Sequence, residues 1–282
     1  PSSSQALIED QFKELFNELF QELKVTFSSM QTFSTSRRVI LIVNDLPTNI
    51  GSKIIEIRGP QIQAKQSAIN GFMKSNNIND IRELKKKNIK GKIYYTANKK
   101  TEEKKLSKIF EEKIPELLRS IKWIKSMRWS DNNDKWIRPI KNILCLFKMK
   151  VVKFNFAGIS SNQCTYGNYH FTVNKFKCFD FKTYKKNLEE NFVILEQKER
   201  EKLILQNIEK FCKLNNLILN VDFLLLKRVA NSVEYPNVYF SSFETNFFKL
   251  PNFLLEDIMT NKQDYFSFKN KNKNLLNSFC FI

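Results

Sequence analysis

Three observations predict an α+β fold for this 282-residue chain. Strand-like and helix-like patterns alternate irregularly rather than as βαβ units. Long stretches place apolar residues at offsets of three and four, the helical spacing. Two β-prone runs joined by a short basic connection read as a hairpin.

Taken in order, the first element is the clearest. From Gln5 to Val25, residues Phe12, Leu15, Phe16, Leu19, Phe20 and Leu23 recur at helical offsets with Glu and Lys between them, and Ser2, Ser3 or Ser4 can cap the free N–H groups. Val39 to Val43 lacks alternation and suits a strand covered on both sides. Ile62, Ala68, Ile69, Phe72 and Met73 mark a second helix, ended by Asn76 and Asn77. Lys85-Lys86-Lys87 reads as a solvated loop, and Lys92 to Ala97 as a strand. Leu106, Ile109 and Phe110 line a helix that breaks or restarts near Pro115, whose ring opposes helix continuation.

A polar turn, Ser130 to Asp134, precedes the hairpin of Ile143 to Phe147 and Val151 to Phe156, connected by Lys148 to Lys150. Thr183 to Asn215 is helical, with Leu195, Leu203, Ile204, Ile208, Phe211 and Cys212 inside. Pro236 cannot donate to a ladder and so suits the start of a strand around Asn237 to Phe240. A last helix starts at Pro251, where a missing N–H costs nothing; Phe253, Leu254, Asp257 and Ile258 follow on successive turns and Asn261 stops it. The expected organisation is a basic α+β lobe over residues 1–175. Residues 176–282 then form a helical segment followed by a strand–helix element.

Composition narrows the function classes. A chain this long buries roughly 75% of its unfolded surface. It has 26 Phe but only 6 Gly, and carries neither a Walker-type nor a dinucleotide fingerprint. Five cysteines, Cys145, Cys164, Cys178, Cys212 and Cys280, are widely spaced without a C-x-x-C pair and read as reduced thiols. The longest apolar runs, Val39–Val43 and Phe223–Leu226, fall far short of the ~18 residues of a membrane helix, and no signal peptide is seen. The cytoplasm is therefore the expected location.

The formal charge is +18, and it is concentrated. Between Arg82 and Lys153 there are 22 Lys and Arg against 8 Asp and Glu, +14 of the total. Such a field draws polyanions, and RNA is the natural partner. The competing explanation is drift towards A- and T-rich codons, which enriches Lys, Asn, Ile and Phe without selecting for RNA.

Five blocks carry a family resemblance in a fixed order. They are Ser36-Arg37-Arg38 before the apolar run, Glu56 to Pro60 (EIRGP), Lys125 to Pro139 (KSMRWSDNNDKWIRP), Gly158 to Phe171 (GISSNQCTYGNYHF), and Val233 to Phe268 with its V-E-Y-P and M-T-N-K-Q-D-Y-F signatures. Together they resemble the β subunit of the bacterial heterotetrameric glycyl-tRNA synthetase. One block departs from the pattern: Asn168 stands where the family signature has histidine, and an extra residue precedes Phe171.

The resemblance implies an N-terminal portion of that subunit, trimmed at both ends, without the helical phosphohydrolase-like and anticodon-binding domains. It implies a fold kinship with the editing-type domain of phenylalanyl-tRNA synthetase β subunits, an α2β2 assembly with a catalytic α subunit, and tRNA-Gly as the bound RNA. ATP and Mg belong to the α subunit, so the β chain alone does not activate glycine. Proofreading is not implied.

The chain's own residues propose no catalytic or metal centre. A lone His170 cannot build a histidine-rich metal site and reads as structural beside its aromatic neighbours. The acidic pairs Glu102-Glu103, Glu111-Glu112 and Glu189-Glu190 read as solvated helix faces. The RNA-contact candidates are Lys125, Arg128, Arg138 and Lys141, interleaved with Trp123, Trp129 and Trp136, and the pair Arg37 and Arg38. An arginine beside an indole can hold a phosphate while the ring stacks on a base. Alternatively, the tryptophans anchor the core and the arginines bind internal carboxylates or carbonyls. Lys53 and Arg58 have too little context to assign. Three readings compete: a synthetase β subunit, a stand-alone RNA-binding module, and a purely structural piece. The lone histidine disfavours a fourth, a metal phosphohydrolase.

Overall fold

The computed structural model describes residues 2–51, 54–89, 91–100, 103–129, 131, 133–219 and 221–282. The architecture is α+β, as expected, with several small sheets among helices. Packing divides the chain into a smaller unit, Pro47–Ile109, and a larger one formed by Pro1–Leu46 with Phe110–Ile282. Residues 175 and 176, the boundary expected from sequence, both lie in the larger unit.

In the larger unit, helix α1 (Ser2–Leu23) buries Ile8, Phe12, Leu19 and Phe20 along one face. Lys24 adopts a left-handed φ of 54°, and the Val25 N–H returns to the Phe20 carbonyl at 2.9 Å, closing the helix. The helix already includes the serines expected as caps; the side chains of Ser2 and Ser3 lie outside the described ones. Strands Ser29–Ser34 and Val39–Asn44 then pair antiparallel. Val39 and Leu41 pack on the α1 cluster, and Ile40 packs on a cluster around Leu188. The unbroken apolar run is thus covered on both faces, although each side chain keeps partial exposure.

The smaller unit is a three-stranded antiparallel sheet with Lys92–Lys100 central between Ile54–Gln61 and Lys85–Ile89. Helix α2 (Gln66–Ser75) covers one face, joining Ile69 to Leu84, Tyr95 and Ala97, and it ends at Asn76 as expected. Gly59 admits this packing, because a Cβ there would lie 2.7 Å from the Phe72 ring. Lys85-Lys86-Lys87 corrects the sequence reading: it is an edge strand, not a loop. All three lysines are exposed, and the partner strand supplies the ladder that no local apolar pattern signals. Lysine on an edge strand also discourages pairing with another chain. Lys53, which had too little context to assign, lies outside the described residues.

Helix α3 (Leu106–Ser120) runs unbroken through Pro115, a second correction. An interior proline costs about 3 kcal/mol, yet Phe110, Ile114 and Leu118 keep one apolar face in step across it. Burial outweighs the missing hydrogen bond. Beyond it, the expected hairpin forms only as Leu146–Phe147 against Lys150–Val151, through Lys148 and Met149 at φ 49° and 63°. Asn155–Phe156 instead turns back on Ile159–Ser160 through Ala157 and Gly158, both at positive φ. Of the polar turn before it, Ser130 and Asn132 lie outside the described residues.

The single helix expected over Thr183–Asn215 is two, α4 (Phe181–Glu190) and α5 (Gln197–Asn215). Phe192 at φ 59° breaks the run, and Val193 and Leu195 enter the same core as Tyr184 and Leu188. The apolar pattern therefore continues while the backbone does not. Helix α6 (Phe223–Ala230) is capped by Asp222, which accepts the N–H groups of Leu224 and Leu225. It packs with Ile204 and Ile208 of α5 on Phe266, Phe268 and Cys280. Those three residues belong to a four-stranded antiparallel sheet ordered Ile218–Leu219, Phe266–Lys269, Leu275–Phe281, Tyr239–Ser242. Helix α7 (Asn252–Asp257) follows Pro251 and continues as a π-turn over Ile258–Lys262; Leu255 and Met259 are its buried side chains.

Candidate nucleic-acid interface

The four residues linking Ser34 to Val39 set two arginines in different surroundings. Thr35 Oγ1 accepts the backbone N–H groups of Arg37 and Arg38 at 3.1 and 3.0 Å, fixing the turn. Arg38 is bound internally. Its Nε donates to Glu234 Oε1 at 2.8 Å and its Nη2 to the Gly167 carbonyl at 2.8 Å, while Thr35 Oγ1 donates to the same Glu234 oxygen at 2.7 Å.

Arg37 is exposed. Its Nη2 lies 3.4 Å from His170 Nε2, and its guanidinium carbon is 4.9 Å from the centre of the Tyr169 ring. His170, expected to be structural beside aromatic neighbours, is itself exposed, with Tyr169 edge-on at 4.9 Å.

The loop carrying Tyr169 and His170 is fastened by its own sequence. Asn168 is buried; it donates Nδ2–H to the Phe192 carbonyl at 3.1 Å and accepts the His170 N–H at 3.0 Å. Gly167 leaves no room for a side chain, since a Cβ would meet Asn191 Cβ and Thr172 Cγ2 at 2.5 Å.

Arg138 joins this group from a third segment, donating Nη1–H to the Ser36 carbonyl at 3.1 Å. Lys141 Nζ lies 5.6 Å from the Tyr169 ring centre. Arg37, Arg138, Asn168 and His170 line a cleft of about 260 Å³ together with Glu234, Tyr235 and Tyr239. Glu234 is the one carboxylate side chain among its lining residues, and it is engaged by Arg38 and Thr35. Among the described residues, Arg37 and Arg138 form no ion pair.

Four of the six candidates thus meet around one turn and one loop. Lys125 and Arg128 stand apart: both are exposed, and Arg128 faces Lys135 across a two-residue ladder. Two of the three tryptophans, Trp123 and Trp136, follow the architectural alternative. Trp123 and Trp136 meet at 4.7 Å, Trp136 meets Phe156 at 5.6 Å, and the first two pack on Ile8, Phe12 and Ile121. Arg119 and Asp134 brace that cluster with an ion pair at 2.9 Å, and Asp134 also accepts the Ala157 N–H. Among the described residues no three His, Cys, Asp or Glu side chains converge as a metal site, and no helix is long and apolar enough to cross a membrane.

A family model described as glycyl-tRNA synthetase beta subunit matches residues 1–282. The chain belongs to the glycyl-tRNA synthetase beta subunit family. Over 282 residues it is 35% identical to the glycine–tRNA ligase beta subunit of Rickettsia bellii, covering all of this chain and 43% of that protein. Over 284 residues it is 36% identical to the same subunit of Rickettsia felis, covering 42% of it. The chain therefore spans about two fifths of the length of the curated relatives it matches.

Three motifs that carried the synthetase resemblance acquire structural roles. The S-R-R and V-E-Y-P blocks are tied by Arg38 and Glu234. In M-T-N-K-Q-D, Arg228 of α6 donates to the Thr260 carbonyl and to Asp264 Oδ1, both at 2.6 Å, holding the end of the π-turn. Sequence reasoning missed Tyr169, Glu234 and Arg200. Glu234 had a visible signal, a carboxylate between two apolar residues; the other two had none.

Proposed function

We propose that this chain works as the β subunit of a glycine–tRNA ligase, assembling with a catalytic α subunit as α2β2 in the cytoplasm. In this reading it binds tRNA-Gly, while ATP, Mg and glycine are handled by the α subunit. Family membership over all 282 residues carries the proposal. The net charge of +18 and the cationic group at Arg37, Arg138 and Lys141 support the RNA-binding part. Lys125 and Arg128 extend the proposed contact as exposed cations; Arg38 supports it indirectly by fixing the turn that presents Arg37. The fold kinship with the editing-type domain of phenylalanyl-tRNA synthetase β subunits belongs to the same proposal, as does the division near residue 175.

Reconstitution tests the reading. Purified chain, the α subunit from the same source and tRNA-Gly are combined with radiolabelled glycine and ATP. Glycyl-tRNA is expected to form with the mixture and not with this chain alone. Co-migration of the two proteins on a sizing column, with labelled tRNA, reports the assembly. A chain that neither binds the α subunit nor shifts tRNA contradicts the proposal.

A further inference from the structure

We propose that the cleft lined by Arg37, Arg138 and His170, together with Tyr169 and Lys141 beside it, binds one unpaired nucleotide of an RNA, its phosphate held by Arg37, Arg138 and Lys141 and its base stacked on the Tyr169 ring. This rests on the reading that the chain binds RNA, and it assigns the part of the RNA that this site recognises.

The first argument is charge without a partner. Several other exposed or half-exposed cations have a carboxylate: Lys87 has Glu56, Lys113 has Glu116, Lys185 has Glu196 and Lys269 has Glu256. Among the described residues, Arg37, Arg138 and Lys141 pair with none. Drift in codon usage scatters lysines. It does not account for Arg37 and Lys141, from separate segments, both lying over one ring while Arg138 lines the same cleft as Arg37 and binds the Ser36 carbonyl beside it.

The second argument is the ring itself. Tyr169 is 62% exposed, although the residues on either side of it in the loop are fastened through Asn168. Arg37 and Lys141 both lie within cation–π range of it, so the anion-holding groups and a stacking surface come as one assembly. A duplex hides the faces of its bases, whereas an unpaired nucleotide offers both base and phosphate. At about 260 Å³ the cleft lies below the ~300–1,000 Å³ of pockets that enclose a small molecule. It suits part of a polymer lying across the surface.

The test uses the full 282-residue chain and two fluorescent probes, a short oligouridylate and an RNA duplex of equal length, with tRNA-Gly transcript as a third ligand. Tyr169→Ala is expected to weaken oligouridylate binding about tenfold while leaving duplex binding unchanged, and Tyr169→Phe to retain it. Arg37→Ala and Arg138→Ala are each expected to lower the slope of log affinity against log salt by about one. Unchanged thermal melting of the variants excludes misfolding.

Equal loss for duplex and single strand in Tyr169→Ala overturns the stacking role. Wild-type binding of tRNA and oligouridylate by all three alanine variants overturns the cleft while leaving the wider RNA reading intact. Failure of the unmodified chain to bind any of the RNAs overturns both. Loss of α-subunit binding with RNA binding unaffected assigns the cleft to protein contact and overturns it too.

Discussion

Arg38 and Glu234 lie 196 residues apart and form an ion pair at 2.8 Å, with the carboxylate side chain only 2% exposed. The pair joins the turn that presents Arg37 to a second segment, Ser232 to Tyr235, that also lines the cleft. Removing one partner strands a buried charge, which costs about 3–5 kcal/mol. Glu234→Ala and Arg38→Ala should each lower unfolding stability by that order in urea titrations. A double replacement, Arg38→Met with Glu234→Leu, should recover most of it.

Arg200 is fully buried, and its hydrogen bonds go to the carbonyls of Ala230, Ile194 and Leu195 and to Asn231 Oδ1 rather than to a carboxylate. Burial lowers the pKa of its guanidinium from the ordinary value. Its planar fork satisfies carbonyl groups from two segments at once, which a lysine ammonium cannot reproduce. Arg200→Lys and Arg200→Ala should both be destabilising by about 3 kcal/mol, since the change leaves buried acceptors unpaired. Differential scanning calorimetry checks this; a lysine variant melting with the parent protein contradicts it.

Gly167 and Gly71 should respond in opposite directions to alanine. A methyl at 167 collides with Asn191 and Thr172, whereas a Cβ at 71, inside α2, meets nothing within 4 Å. Gly167→Ala should destabilise by about 1–3 kcal/mol. Gly71→Ala should stabilise by about 0.5–1 kcal/mol through lower chain entropy. Melting temperatures of the two variants give both signs in one experiment.

Stability should fall on the alkaline side. Burial pushes the Cys145 thiol from 9.0 to about 12, the Cys178 thiol to about 11 and the Tyr184 phenol from 10.0 to about 12. Each folded-state value lies above the unfolded one, so the contribution is complete below pH 9 and is lost as pH rises through the folded values. Melting temperature measured from pH 7 to pH 11 should be flat at first and then decline. Cys145→Ala should flatten part of that decline.

Alkylation under native conditions offers a parallel check on the cysteines. Cys178, Cys212 and Cys280 are buried, so each should resist iodoacetamide until the chain is unfolded. Peptide mass spectrometry of native and denatured samples reads the protection site by site.

Much of the helical framework was legible in the residues. Helices α1 and α2 declare themselves because their apolar stripes keep one register and end at residues that accept unusual backbone angles, Lys24 and Asn77. The strand at Lys85–Ile89 was not legible, because a charged edge strand exists only through its neighbour's ladder. Phe192 broke an expected helix for a related reason: Val193 and Leu195, in the link after it, enter the same core as Tyr184 and Leu188 of α4, so periodicity ran across a change of direction. Within the site, residue types identified six cations. They could not separate Arg37, which is exposed, from Arg38, which is bound to a carboxylate 196 residues away.

Composition and ordered motifs sufficed for the fold class, the positive field and the family, because those properties reside in residue identity and local spacing. Which cations converge, which ring stays uncovered and which carboxylate is neutralised depended on packing between distant segments. Hydrogen bonds such as Arg38 to Glu234 and Arg138 to Ser36 join residues 196 and 102 positions apart, so they exist only where packing holds their elements together. Even where one partner carries a local signal, as Glu234 does between Val233 and Tyr235, the residues around it do not name the other.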